Sequence, residues 1–315
     1  MESSGADPVI EVTGLRKEYG STVAVDGISF DVRENEIFGL LGPNGAGKTV
    51  TVEMLQGLRT PTAGTATLLG LDVHEHPIEL KDRIGVVPQS FHTFDRLTVR
   101  ENIALIRDLH TGTNSVEEVI GHLGLDGYAD KPFHALSGGY QRRTGIAMAL
   151  VSGPEILFLD EPTTGLDPAA RRETWNQIRR VTDLGTTVVL TTHYMDEIEY
   201  LADRVALLVD GRLEAVDSVS ALIEEYAPSV KLVVRTENHT DDRIETTLAE
   251  AAQRTYRNET DDLVGVFDDR QAAQETFSKL HELGTVSTID LVSAGMDDVF
   301  LELAGGTLGT SGELR

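Results

Sequence analysis

The stretch Gly42-Pro43-Asn44-Gly45-Ala46-Gly47-Lys48-Thr49 decides the fold. It matches the phosphate-binding loop template G-x-x-x-x-G-K-[ST] at every fixed position. Before it, Glu36-Ile37-Phe38-Gly39-Leu40-Leu41 reads as a buried strand; after it, Val50 to Leu55 opens a helix. By average residue usage the four fixed positions recur by chance only about 0.01 times in a chain of this length. Three glycines let the backbone curl around phosphate oxygens and aim N–H groups inward. The following helix directs the positive end of its dipole at the same anion. Lys48 can reach the β- and γ-phosphates, and the Thr49 hydroxyl can ligate Mg²⁺. The expected ligand is a nucleoside triphosphate.

Composition narrows the partners. The chain has 315 residues, room for one large domain and a smaller one. Its net charge of −25 disfavours a nucleic-acid partner, because no local basic patch offsets the repulsion of phosphates. The acidic residues are dispersed, a halophile-like pattern suited to salty solvent that screens them. With no cysteine, disulfides and thiolate metal sites are excluded. The N-terminal run MESSGADPVIEV has no basic region followed by an apolar core, so no signal peptide is expected. No window approaches the ~18 apolar residues of a membrane span, so the chain reads as soluble or peripheral.

The order of elements follows from periodicity. Val9 to Val12 and Ile28 to Val32 read as strands around a turn-rich middle that holds Tyr19. Further strands are expected near Thr65 to Leu69 and at Arg83 to Gln89. Thr98-x-x-Glu101 and Ser115-x-x-Glu118 both read as capping boxes that open helices of an inserted lobe. Leu136-Ser137-Gly138-Gly139 opens a helix through Leu150, Glu155 to Leu159 is an apolar strand ending in Asp160-Glu161, and Thr186 to Thr192 is a strand closing on His193. Asp210-Gly211 signals a hairpin between Arg204–Val209 and Leu213–Val216. Strands alternating with helices indicate an α/β core with a parallel sheet and added antiparallel strands. Residues 1–226 form the expected large domain. Residues 227–304 form a small α+β unit, with strands at Val230–Val234, Leu263–Phe267 and Val286–Val292 and helices at Asp241–Thr255 and around Ala273, Phe277 and Leu280. The Gly-rich tail 305–315 is expected to be disordered.

Two chemical features stand out besides the phosphate loop. Asp160 ends a buried strand at the carboxyl edge of the sheet, where ligands of open α/β folds bind. A carboxylate there can hold Mg²⁺ opposite Thr49, while the adjacent Glu161 points elsewhere and suits a base for the attacking water. Ser137, Gly138 and Gly139 offer a helix start with exposed N–H groups and no bulk, a second anion site. One nucleotide seldom needs two such sites, so this helix end is expected to cap a nucleotide held by another copy. His74-Glu75-His76 could suggest a metal site, but a loop ending in Pro77 reads as solvated surface. By themselves Tyr19 reads as packing and Gln89 as a polar strand end, while His193 reads equally well as a core histidine or a site residue.

The phosphate loop, Gln89, LSGG, ILFLDEP and His193 together resemble, in order and spacing, the ATPase subunits of ABC transporters over residues ~8 to 220. The resemblance implies a P-loop NTPase core of ABC type with an antiparallel β subdomain and a helical lobe. It implies that Tyr19 stacks on adenine, that residues 42–49 hold the phosphates of ATP, and that Thr49, Gln89 and Asp160 surround Mg²⁺. Glu161 would be the catalytic base, assisted by His193 on the γ-phosphate and by Gln89. Ser137, Gly138 and Gly139 would reach the γ-phosphate across a homodimer or heterodimer of ATPase subunits, and Asp167 would connect the two sites. Integral membrane permease subunits would be the partners, at the cytoplasmic face of the membrane. Tyr140 stands where many members have glutamine. With Thr164-Gly165-Leu166-Asp167-Pro168 and the C-terminal run Met296 to Leu303, that variant is similar to the ATPases of ABC-2-type exporters, the daunorubicin-resistance-like group. An importer ATPase or a soluble ABC-class ATPase are the alternatives. The dispersed charge carries its own prediction: stability against denaturant rises as KCl is raised to molar levels, and a salt-indifferent midpoint would contradict it.

Overall fold

The computed structural model describes residues 8–110, 114–227, 230–236, 242–257, 261–283 and 286–304. The expected leader-free N-terminus, linker residues Pro228 and Ser229 and the tail from Gly305 lie outside or largely outside them. The chain divides into two compact units, Met1–Ser218 and Val219–Arg315.

The first unit opens on two long antiparallel strands, β1 (Pro8–Tyr19) and β2 (Thr22–Arg33). The turn-rich middle expected between Val12 and Ile28 is instead strand on both sides of a tight turn at Gly20-Ser21. Register shifts at Val12/Leu15, Leu15/Lys17 and Lys17/Glu18 keep this polar run in the ladder. Such bulges break the two-residue alternation by which a strand is read. Then come β3 (Ile37–Leu41), α1 (Lys48–Leu55), β4 (Ala63–Leu68), β5 (Leu71–Asp72), α2 (Pro77–Lys81) and β6 (Ile84–Val87). The helical lobe holds α3 (Val99–Arg107) and α4 (Val116–His122), and α5 (Gly138–Leu150) leads back to the sheet. The unit closes with β7 (Ile156–Asp160), α6 (Pro168–Thr182), β8 (Thr187–Thr192), α7 (Met195–Leu201), β9 (Arg204–Val209) and β10 (Arg212–Ser218).

Two sheets result. One is antiparallel, in the order β2-β1-β4-β5; the other runs β10-β9-β3-β8-β7-β6 and is parallel except for β10 on its edge. Every residue of β3 and β8 is buried, as expected of strands covered on both faces. One apolar core joins the sheets, with Ile10, Val32, Phe38, Leu55, Phe158 and Leu208 among its members, and Phe30 stacks on Phe38 at 5.3 Å. Because β6, β7, β8 and β3 are parallel neighbours, their carboxyl ends share one edge. Gln89, Asp160-Glu161, His193 and the phosphate loop follow these ends. Chain order has thereby become spatial proximity.

The second unit contains α8 (Val219–Tyr226), β11 (Val230–Thr236), α9 (Asp242–Ala251), β12 (Arg254–Arg257), β13 (Leu263–Phe267), α10 (Arg270–Glu282), β14 (Val286–Ser293) and α11 (Met296–Ala304). Its antiparallel sheet has the order β12-β13-β11-β14, and Leu232, Val234, Ile244, Leu248, Phe267 and Leu280 form its core. The helix expected over Asp241–Thr255 stops at Ala251, and Arg254–Arg257 is a strand on β13. Tyr256 and Thr255 prefer strand, and the pairing with Val264 and Gly265 settles the choice. Among the described residues no helix is long and apolar enough to cross a membrane.

Thr98 forms the expected capping box: its Oγ1 accepts from the Glu101 N–H at 3.1 Å, and its own N–H donates to Glu101 Oε2 at 2.8 Å. Ser115 heads α4 without a side-chain cap bond, so the second box is not formed. Thr98→Ala is expected to lower stability by about 1 kcal/mol. Ser115→Ala, by contrast, should cost no more than roughly a few tenths of a kcal/mol. Denaturant unfolding followed by the single tryptophan, Trp175, measures both, and equal losses would contradict the assignment.

Candidate nucleotide site

The phosphate loop is held from behind by backbone. A Cβ on Gly42 would lie 2.2 Å from Leu208 O, and one on Gly47, at φ 100, would lie 2.4 Å from Ala24 O. At these positions the surrounding backbone leaves no room for a side chain. Gly45, at φ 87, has nothing within 4 Å of its Cβ position and faces the open side. The left-handed Asp210-Gly211 turn braces the loop, Gly211 N–H donating to Ala46 O at 3.1 Å. Pro43 and Asn44 form its rim, and Pro43 O accepts from Ala46 N–H at 3.2 Å. Lys48 is 5% exposed, and its Nζ donates to Gly42 O at 2.7 Å and Pro43 O at 3.1 Å. Burial lowers the ammonium's pKa, while Glu161 and Asp160 pull it back up.

Those two carboxylates have separate environments. Asp160 Oδ1 accepts from the Thr191 hydroxyl and lies 3.5 Å from Thr49 Oγ1. Burial raises its pKa, and the Thr191 bond opposes the rise. Glu161 adopts a left-handed backbone at φ 45, which for a non-glycine residue costs of order 1 kcal/mol. Its N–H donates to Thr191 O and Thr191 Oγ1, both at 3.1 Å. That conformation points the two adjacent carboxylates to different partners. Glu161 accepts from Gln89 Nε2 at 2.8 Å and Thr164 Oγ1 at 3.1 Å, and meets His193 Nδ1 at 3.3 Å. The His193 hydrogen bond is the chief cause that holds its pKa below the usual carboxylate range. Glu161 is therefore ionised at neutral pH, able to accept a proton from water.

Lys48, Thr49, Gln89, Asp160, Glu161 and His193 are thus brought together. Tyr19, Ser137, Gly138, Gly139 and Asp167 are not: among the described hydrogen bonds none joins them to that cluster. Tyr19 is 43% exposed at the end of β1, its hydroxyl accepting from Arg59 Nη1 at 3.0 Å. Ser137 heads α5 with an exposed side chain that makes no cap bond; Gly138 is exposed, and Gly139 is buried against Ala170. The Asp167 carboxylate caps α6 by accepting from Ala169 N–H and Ala170 N–H at 3.1 and 3.0 Å. No cluster of three potential metal ligands occurs among the described residues, the His74–His76 run included.

Sequence reasoning missed a residue that fastens the site. Arg142, on the second turn of α5, is 9% exposed and has no carboxylate partner among the described ion pairs. Its guanidinium donates to Pro162 O at 2.8 Å, Asp160 O at 2.7 Å, Pro88 O at 2.7 Å and Gln89 O at 3.4 Å. Burial lowers its pKa to about 10. The start of α5 is therefore fastened to the strand ends that carry Gln89 and Glu161. The available signal was a pair of arginines in a helix whose second half is almost wholly apolar. The second, Arg143, lies over the Tyr140 ring at 4.1 Å, and Tyr140 stacks on Tyr128 at 3.7 Å. The residue that replaces the common glutamine thus packs toward the helical lobe.

Residues 25–164 match the family model described as ABC transporter. The chain is 36% identical to the daunorubicin/doxorubicin resistance ATP-binding protein DrrA of Streptomyces peucetius over 94% of this chain and 92% of that one. It is 45% identical to Nod factor export ATP-binding protein I of Sinorhizobium fredii, covering 71% and 67% of the two chains, and 43% identical to its namesake in Ralstonia nicotianae, covering 66% of each. The cbiO1 structure from Clostridium perfringens, part of the ABC transporter complex cbiONQ, is 26% identical with a TM-score of 0.63, over 70% of this chain and 92% of that one. An ATP-binding cassette in its ADP conformation shares the fold at 22% identity and the same TM-score, over 70% and 95%. With similarity to DrrA along nearly its whole length, the chain belongs to the ATP-binding proteins of ABC transporters.

Proposed function

We propose that this chain is the ATP-hydrolysing subunit of an exporter, working as a dimer on separate membrane-spanning subunits. The observation that carries the reading is the hydrogen-bonded cluster at four parallel strand ends, which sets Lys48 and Thr49 against Asp160, Glu161, Gln89 and His193. Export rests on the relatives, whose names describe Nod factor export and daunorubicin resistance. Work on membrane partners agrees with cbiO1 being part of a transporter complex.

The residues divide the chemistry. Backbone N–H groups of residues 44–49 bind the β- and γ-phosphates, and Lys48 supplies a point charge with little reorganisation. The Thr49 hydroxyl and the Asp160 carboxylate are oxygen donors on one edge and fit Mg²⁺, with Gln89 nearby. When bound, Mg²⁺ neutralises charge on the phosphate oxygens. Glu161 accepts the proton of the attacking water, while His193 and Gln89 hold its carboxylate in place. Tyr19 offers an exposed ring for adenine. Ser137, Gly138 and Gly139 present an unused hydroxyl and a helix start, which complete the site on a second copy with Asp167 between them. Most of the catalysis is positioning and charge neutralisation.

Glu161→Gln is expected to lower kcat by about 100-fold or more while ATP binding is kept. Size-exclusion chromatography of that variant with ATP should give a dimer. Wild-type turnover in Glu161→Gln would contradict the assignment of the base.

A further inference from the structure

The site described above leaves one buried carboxylate unused. Glu197, on α7, is 0% exposed, and no cation pairs with it among the described ion pairs. Its Oε1 accepts two hydrogen bonds, from Thr163 Oγ1 at 2.7 Å and Trp175 Nε1 at 2.8 Å. Neither donor belongs to α7. Thr163 lies in the loop between Glu161 and Asp167. Trp175 points inward from α6, the helix that Asp167 caps. Glu197 itself stands four residues after His193, in the first turn of the helix that follows it. A single oxygen therefore joins the loop beyond the base, the helix beyond that loop and the helix beyond the histidine.

Burial raises the pKa of this carboxylate. An apolar side chain of similar volume would fill the same space without that penalty, so packing does not explain a carboxyl group here. Geometry does. The 3.3 Å contact between Glu161 and His193 spans two strand ends, and each side is followed at once by a segment that ends on the Glu197 oxygen. Arg142 holds the same loop through Pro162 O.

We propose that Glu197 is a positioning residue for hydrolysis: its shared oxygen fixes the loop from Pro162 to Asp167 against the start of α7, and so keeps Glu161 and His193 in register. This rests on the reading of Glu161 as the base, and the test separates the two. The full chain is assayed for ATP hydrolysis as Thr163→Val, Glu197→Gln, Glu197→Leu and Glu161→Gln, with the folded fraction measured by circular dichroism. Thr163→Val removes one donor at nearly constant volume, and kcat per folded molecule should fall about tenfold with KM for ATP within about twofold. Glu197→Gln keeps an acceptor oxygen and should stay within about threefold of wild type, whereas Glu197→Leu should lose at least about tenfold. The double variant Thr163→Val/Glu197→Leu should be no slower than Glu197→Leu alone, because the bond is already gone. A Thr163→Val enzyme with wild-type kcat, or losses that follow the folded fraction alone, would overturn the proposal while an inactive Glu161→Gln leaves the base intact. Equal losses in Glu197→Gln and Glu197→Leu would also overturn it. Wild-type speed in Glu161→Gln would overturn the reading on which it rests.

Discussion

A buried ammonium with only carbonyl oxygens for partners is the constraint on which the structure turns. Lys48 has lost most of its water and donates to two carbonyls of its own loop. Its charge is balanced at longer range by Asp160 and Glu161, which belong to a different strand. Such an arrangement is costly when nothing anionic is bound, and a triphosphate relieves it. The backbone of Leu208 and Ala24 packs directly behind Gly42 and Gly47. The parallel order of β6, β7, β8 and β3 then determines which side chains surround the anion.

The second theme is the wiring of α5. Its first residues, Ser137 to Gly139, have no partner in the cluster of their own copy, while Arg142 one turn later grips the carbonyls at positions 88, 89, 160 and 162. The start of this helix is therefore fastened to the backbone that carries Gln89 and Glu161. This gives the proposed dimer a physical route by which contact with one nucleotide is felt at the other. Guanidinium suits the task, since its planar fork of donors can serve several acceptors at once. Tyr140 and Arg143 tie the same helix to the lobe through their stack on Tyr128.

Much of this was legible in the sequence because parallel, doubly covered strands appear as continuous apolar runs. IFGLL, IGVV, ILFLD and TVVLTT mark the strand ends, and the polar residues at and after those ends make up the cluster of Lys48, Gln89, Asp160, Glu161 and His193. Other features obeyed physics that periodicity does not record. The bulges of β1 and β2 hide a long hairpin, and the residues of β12 continue a helical pattern that only pairing with β13 turns into a strand. Ser115 has a capping-box pattern without the bond. The roles of Arg142 and Glu197 escape the sequence for a common reason: their partners are backbone carbonyls or side-chain donors contributed by distant segments.

In the proposed dimer each copy completes the triphosphate site of the other, and subunit mixing tests this most directly. Lys48→Ala disables the phosphate loop of a chain, and Ser137→Glu places a negative charge where the partner's γ-phosphate is to lie. Each variant alone is expected to be inactive. A dimer with one copy of each contains one site with both lesions and one with neither, so an equal mixture should recover about a quarter of wild-type hydrolysis. A mixture of folded variants that stays as inactive as its components would contradict the account.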